Sequence, residues 1–371
     1  VTFRQKAGCV SCHNNTLLGT LTAEARRERI PFDEATAVAE RDGIGRFTAS
    51  WRERAIQGLG IPGDADTISY IMVGLADEGH PADAVTDALV YFLLRKQQVD
   101  GSWHTVAHRP PIESSDITVT GMSMRAIQKY APSVWSRRAK DAIANAGRWL
   151  ATRTPRMTEE RTFQLRGLAW AGRSVKEQRR LGAALAAEQR PNGGWSQLST
   201  HDSDAYATGQ ALIALHEAAG MPVTHPVFRR GVDYLLKTQY ADGTWLVESR
   251  SIPVQPLFDI GFPHGSRNQW ISAAGTNWAA TALAIAAWPS KRGREAAAPY
   301  FVPSGRNCFQ RSMNATAALT DASVSSRPRS AVAVFTSSVL HTPVSVMSFV
   351  EVPFPVDAAF NASARNTRVA V

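Results

Sequence analysis

The sequence predicts an all-α fold of helical hairpins, each burying its apolar face against the next. Three observations predict it. A block made of an apolar helix, a Gln, a short polar turn and Gly-x-Trp occurs three times in register. A second block, a small-residue-rich helix with a polar start, alternates with the first. Apolar positions recur at helical spacing, as at Leu212, Ile213 and Leu215.

The first block reads Gln97 to Gly101-Ser-Trp103, Gln189 to Gly193-Gly-Trp195, and Gln239 to Gly243-Thr-Trp245. Its tryptophans lie 92 and 50 residues apart, and the longer interval leaves room for a degenerate copy, for which Gly147-Arg-Trp149-Leu fits as a relic. Copies of the second block start at Asp66, Asp116, Asp204 and Thr276. A polar residue there would accept the orphan N–H groups of a helix start. Gly220 and Pro222 stop one copy. Two helices in roughly 45–50 residues is the arrangement of a solenoid, whose units bury their apolar faces against neighbours.

The Gln-x3-Gly-x-Trp block resembles the "QW" repeat of squalene–hopene and oxidosqualene cyclases and the wider prenyltransferase repeat. The resemblance covers roughly Asp64 to Trp288. It implies an α/α toroid in which Gln and Trp tie helix ends together on the outside. The tryptophans read either as that packing or as substrate contacts. The chain then divides into an N-terminal segment (1–55), a toroid (56–288) and an irregular C-terminal tail (289–371). The tail has no Trp and two Leu, and it carries nine Lys/Arg against four Asp/Glu. A disordered extension and a stretch read out of frame are both open for it.

Of the formal charge of +9, the tail holds +5 and the first 288 residues +4. No basic stripe with interleaved aromatics is present, so a nucleic-acid partner is not expected. The longest apolar stretches, such as Ala279 to Trp288, are too short to span a bilayer, so no transmembrane segment is expected. The sequence begins at Val1 with no leader and reads as a processed or truncated chain, which leaves its compartment open.

Chemistry concentrates in three places. Cys9-Val-Ser-Cys12-His13 has the spacing of a c-type haem attachment site. Two thioethers at Cys9 and Cys12 reach one porphyrin edge, and His13 supplies the proximal iron ligand. A redox thiol pair and half of a zinc site are the other readings, although the only further cysteine is the remote Cys308. His80, Met72 or an open position could complete the iron.

The second place is Asp202-Ser-Asp204-Ala205. The resemblance aligns it with the Asp-x-Asp-Asp of class II terpene cyclases. Asp202 matches the first position and Asp204 the middle, proton-donating one, and Ala205 departs from the pattern. Asp204 also reads as an ordinary helix cap. The third place is the long connection holding Gln255 to Asp259, Gly261-Phe-Pro-His264-Gly265 and Gln269-Trp270. Long connections on a rigid scaffold often line sites. The zinc site of protein prenyltransferases is not expected, because no cysteine lies between Cys12 and Cys308.

Together these readings predict a periplasmic or secreted toroid with covalent haem c. It would bind an isoprenoid or other apolar molecule and exchange electrons with it or with a partner protein, as an oxidoreductase. A terpene cyclase or isomerase using Asp204, and a non-catalytic binding module, are the alternatives.

Overall fold

The computed structural model describes residues 2–252 and 259–287, so the tail (289–371) and the Gln255 to Phe258 part of the long connection lie outside the described residues. The fold is all-α. Thirteen α-helices occur among the described residues. They are α1 (Thr2–Ala7), α2 (Leu17–Arg27), α3 (Glu34–Ala49), α4 (Arg52–Gln57), α5 (Asp64–Asp77), α6 (Ala84–Lys96) and α7 (Asp116–Tyr130). The rest are α8 (Ser136–Ala151), α9 (Thr158–Trp170), α10 (Val175–Ala187), α11 (Ala205–Glu217), α12 (Pro226–Thr238) and α13 (Gly265–Ala287). Among the described residues the strand content is one two-residue antiparallel pair that sets Trp195 opposite Asp204.

Burial sorts the helices into two kinds. α5, α7 and α11 are small-residue-rich, and α5 is buried without a break from Ala65 to Leu75, α11 from Ala205 to Leu215. A helix that is apolar all round must be covered all round. α8 and α12 instead bury one stripe each, Ala139, Ala142, Ala146 and Leu150 in α8, and Phe228, Gly231 and Leu235 in α12.

The enclosed helices form a circuit of contacts. α2 packs on α5, α5 on α7, α7 on α9, α9 on α11, α11 on α13, and α13 on α2. α6, α8, α10 and α12 each bridge two consecutive members from outside. Rings from three alternate members meet within the circuit. Tyr70 (α5) lies edge-on to Phe163 (α9) with centroids 6.5 Å apart, and Phe163 lies edge-on to Trp278 (α13) at 6.4 Å. All three are buried, so side chains occupy that level of the interior.

The recurring block is a joint between these two layers. The Trp103, Trp195 and Trp245 side chains are fully buried, and their indole N–H groups donate to the carbonyls of Leu93, Leu185 and Leu235 at 2.8, 2.8 and 2.9 Å. Their backbone N–H groups donate to the hydroxyls of Thr120, Thr208 and Thr276. Gln97 and Gln189 donate to the glycine carbonyl of their own turn and to a carbonyl of the outer helix that follows, Ala142 and Val227. The turn needs glycine for two reasons. Gly193 has φ +91°, and a Cβ there would run into the Arg230 carbonyl oxygen.

Three sequence expectations are corrected. Trp149 lies inside α8 and donates to Asp100 Oδ2 at 2.9 Å, so it does not occupy the position of the other three tryptophans. α13 starts at Gly265, so Thr276 is mid-helix, although it keeps the contact to a Trp N–H made by Thr120 and Thr208. Asp66 and Asp116 are not caps. They sit in first turns and hold the connection between α6 and α7, Asp66 Oδ2 accepting from Val106 N at 2.9 Å and Asp116 Oδ1 from Thr105 N at 2.8 Å.

Candidate functional site

The cysteine motif lies between α1 and α2. Gly8 has φ +64° and turns the chain out of α1. Ser11 then caps a turn of π-helix over Cys12–Thr16 by accepting from Asn14 N at 3.1 Å, and that turn runs directly into α2. The side chains of Cys12 and His13 lie outside the described residues. Cys9 is half-buried, and burial pushes its thiol up. It packs with Ala7 and Trp270 against a separate small core of Phe3, Ile260, Phe262 and Ala273.

The long connection therefore meets the cysteine motif, which spacing alone did not indicate. Phe3 lies edge-on to Trp270 at 5.4 Å, and Lys6 pairs with Asp259 at 3.7 Å across exposed surface. His264 stacks on Tyr240 at 4.7 Å, its Nε2 lies 2.6 Å from Thr244 Oγ1, and burial lowers its pKa. Gln269 Oε1 accepts from Ile260 N at 2.9 Å and fixes the connection to α13. Apolar and aromatic surroundings of this kind suit a porphyrin face, and Asn14 Nδ2, beside the motif, is buried with no partner among the described residues. Of the residues considered for the other face of the iron, Met72 is fully buried in α5, and His80 lies beside Gly45 of α3 with Nε2 3.6 Å from Asp83.

The aspartates stand at the head of α11. Asp202 is exposed. Asp204 is the N-cap, its Oδ1 accepting from Ala207 N at 2.8 Å. Burial pushes its carboxyl up to about 6 against the bonds from Ala207 and Gln197. Beside it lies a buried group with no sequence signature. Glu159, at the start of α9, accepts from Tyr206 Oη at 3.1 Å and Thr118 Oγ1 at 3.3 Å. Its burial pushes the carboxyl up to about 8. Arg250 Nε donates to Gln197 Oε1 at 2.7 Å, and its charge acts on both Glu159 and Asp204. At the head of α5, burial also pushes Asp66 up to about 7.

Of these carboxyls Glu159 keeps its proton at neutral pH, whereas Asp204 loses its own above about 6; in each, desolvation penalises the carboxylate more than the surrounding donors favour it. Glu159 and Arg250 were missed for a plain reason. Neither stands in a motif, and the hydrophobic pattern around Glu159 does not mark it as buried. The Asp204 helix and the Cys9 segment are different elements, with α13 packing on both α11 and the turn that follows Cys9.

On another face, the C-terminal halves of α5, α7, α9 and α11 and one flank of α2 enclose an open cleft of about 810 Å³. No helix among the described residues is long and apolar enough to cross a membrane. No protein-family model matches the sequence, and no curated protein resembles it at a significant level.

Proposed function

We propose that this chain is an α/α toroid of the squalene-cyclase and prenyltransferase type that carries a covalent c-type haem and acts in electron transfer. One observation carries the haem reading: a Cys9-x-x-Cys12-His13 motif whose first cysteine packs against an aromatic cluster built by α1, the long connection and α13. Cys9 and Cys12 would hold the porphyrin through thioethers, and His13 would ligate the iron. When bound, the haem supplies one-electron chemistry. Phe3, Phe262 and Trp270 would keep water from one face of the group, and Asn14 would offer its unused amide. A thiol raised by burial does not favour the alternative redox pair, whose attacking cysteine needs a lowered pKa. The helix circuit and the three Gln-Gly-Trp joints support the toroid. Attachment of c-type haem takes place outside the cytoplasmic membrane, so the reading carries with it a periplasmic or secreted location and an electron-exchanging partner.

The test is a pyridine haemochrome spectrum of protein expressed with a cytochrome c maturation system. A c-type α-band in the wild type, lost in Cys9→Ser, Cys12→Ser, is the expected result. A colourless wild-type protein, folded by circular dichroism, overturns it.

Acid catalysis on a polyprene is the second reading, favoured by the raised carboxyls of Asp204 and Glu159. The rings of Tyr70, Phe163 and Trp278 occupy space that such a substrate would need, which places this reading below the first. A ligand for the scaffold need not be a polyprene.

A further inference from the structure

We propose that the cleft at the C-terminal ends of α5, α7, α9 and α11 binds a small organic monocarboxylate, its carboxylate held beside Trp170 by Arg125 and Arg166. This site is independent of the haem reading. The cleft is open and about 810 Å³ in volume, ample for a ligand of drug-like size. Its distinguishing feature is one indole flanked by two guanidinium groups from neighbouring helices. Arg125 (α7) lies 5.3 Å from the Trp170 centroid and Arg166 (α9) lies 4.8 Å from it.

The cleft lining carries four bases (Arg27, Arg125, Lys129 and Arg166) and four acids (Glu24, Glu28, Asp77 and Glu217), and Arg27 is paired with Glu24 and Glu28. Lys129 pairs with Asp77 at 3.4 Å, and Arg166 pairs through Nη2 with Glu217 at 3.2 Å. Arg125 makes no ion pair among the described residues, and its Nη1 donates to the neutral Gln128 Oε1 at 3.2 Å. Arg166 Nε is buried with no partner among the described residues. A desolvated guanidinium beside a second one is an unfavourable arrangement that an anion relieves. The planar fork of arginine matches a carboxylate with two parallel hydrogen bonds.

The surroundings choose the class of anion. Helix C-termini carry partial negative charge, and the acids Glu24, Glu28, Asp77 and Glu217 line the cleft with them. Arg125 is the one base of the lining without an ion pair among the described residues, so a monocarboxylate matches the unpaired charge, whereas the second charge of a phosphate dianion would meet only the surrounding acids. The ligand's aromatic or aliphatic body would then lie against Ala23, Val73 and Ala76, which also line the cleft.

The experiment is isothermal titration of the full chain with sodium benzoate, and separately with inorganic phosphate. Saturable benzoate binding of one per chain is expected, with Kd about 1 mM or tighter. Phosphate is expected to bind at least ten-fold more weakly. Arg125→Gln should weaken benzoate at least ten-fold, and Arg125→Lys should fall between. Glu217→Gln, an exposed substitution that vacates Arg166, should tighten it several-fold. Arg179→Gln, exposed on α10, should leave it unchanged. No saturable benzoate binding, phosphate binding as tight as benzoate, or the same affinity in Arg125→Gln and Glu217→Gln as in the wild type would overturn the proposal.

Discussion

The phenol of Tyr206 donates a hydrogen bond to Glu159 Oε2 at 3.1 Å, joining α11 to α9 where both side chains are out of water. The carboxyl it meets is pushed up to about 8 by burial, so near neutral pH the acceptor is mostly a neutral acid.

That shift has a sign. The ordinary value for Glu159 is 4.5, and the folded protein raises it to about 8, so between these values the native state holds a proton that the unfolded chain releases. Its contribution is fully present below the unfolded value and is lost as pH rises through the folded one. Asp66, raised to about 7, acts in the same direction. Thermal melting should therefore fall between pH 5 and pH 8. Glu159→Gln, an uncharged isostere, should flatten that fall, and an unchanged slope would assign it elsewhere.

Asp204 invites a pair of substitutions. As a cap, Asp204→Asn should keep stability within about 0.5 kcal/mol, whereas Asp204→Ala should cost about 1 kcal/mol in urea unfolding. Equal losses in both variants would mean that the charge, and not the cap, is what α11 uses.

The Gly-x-Trp turn predicts a contrast between two glycines with positive φ. Gly193 (φ +91°) faces the Arg230 carbonyl oxygen, while Gly172 (φ +69°) faces open space. Gly172→Ala should cost about 1 kcal/mol for its backbone conformation alone. Gly193→Ala should cost more than twice that, because α12 must also shift, and denaturant midpoints read the difference.

Gln189 bridges two helices through one amide group, donating to the carbonyls of Gly193 and Val227 at 2.8 and 2.7 Å. Gln189→Ala should cost about 1–3 kcal/mol, since two acceptors lose their donor. Gln189→Glu, which cannot donate from that position when ionised, should do no better above pH 6.

What the sequence disclosed were features that repeat. Gln97, Gly101 and Trp103 recur as one unit at 189–195 and 239–245, because each copy solves the same joint between an inner and an outer helix. Features formed once, by distant residues, had no such signal. Trp149 carries the right residue type but bonds Asp100 from within α8. α13 begins eleven residues before Thr276, since the polar Ser266-Arg-Asn-Gln269 at its start carries no apolar pattern to mark a helix. Glu159 stands in the charged stretch Thr158-Glu-Glu-Arg161, and only the arrival of Tyr206 and Thr118 from other helices makes it an interior acid. The Cys9 cluster depended on Phe262 and Trp270, some 250 residues away, coming back to α1.

The contact between α13 and α2 has a consequence for how the protein comes apart. An open array of hairpins frays from its terminal units, and amide exchange then speeds up progressively toward both ends. Among the described residues the first and last members of the circuit shield each other, so neither α2 nor α13 is a loose end from which opening can spread. Exchange in α2 and α13 should be as slow as in α7 and α9, and the circuit should open all at once.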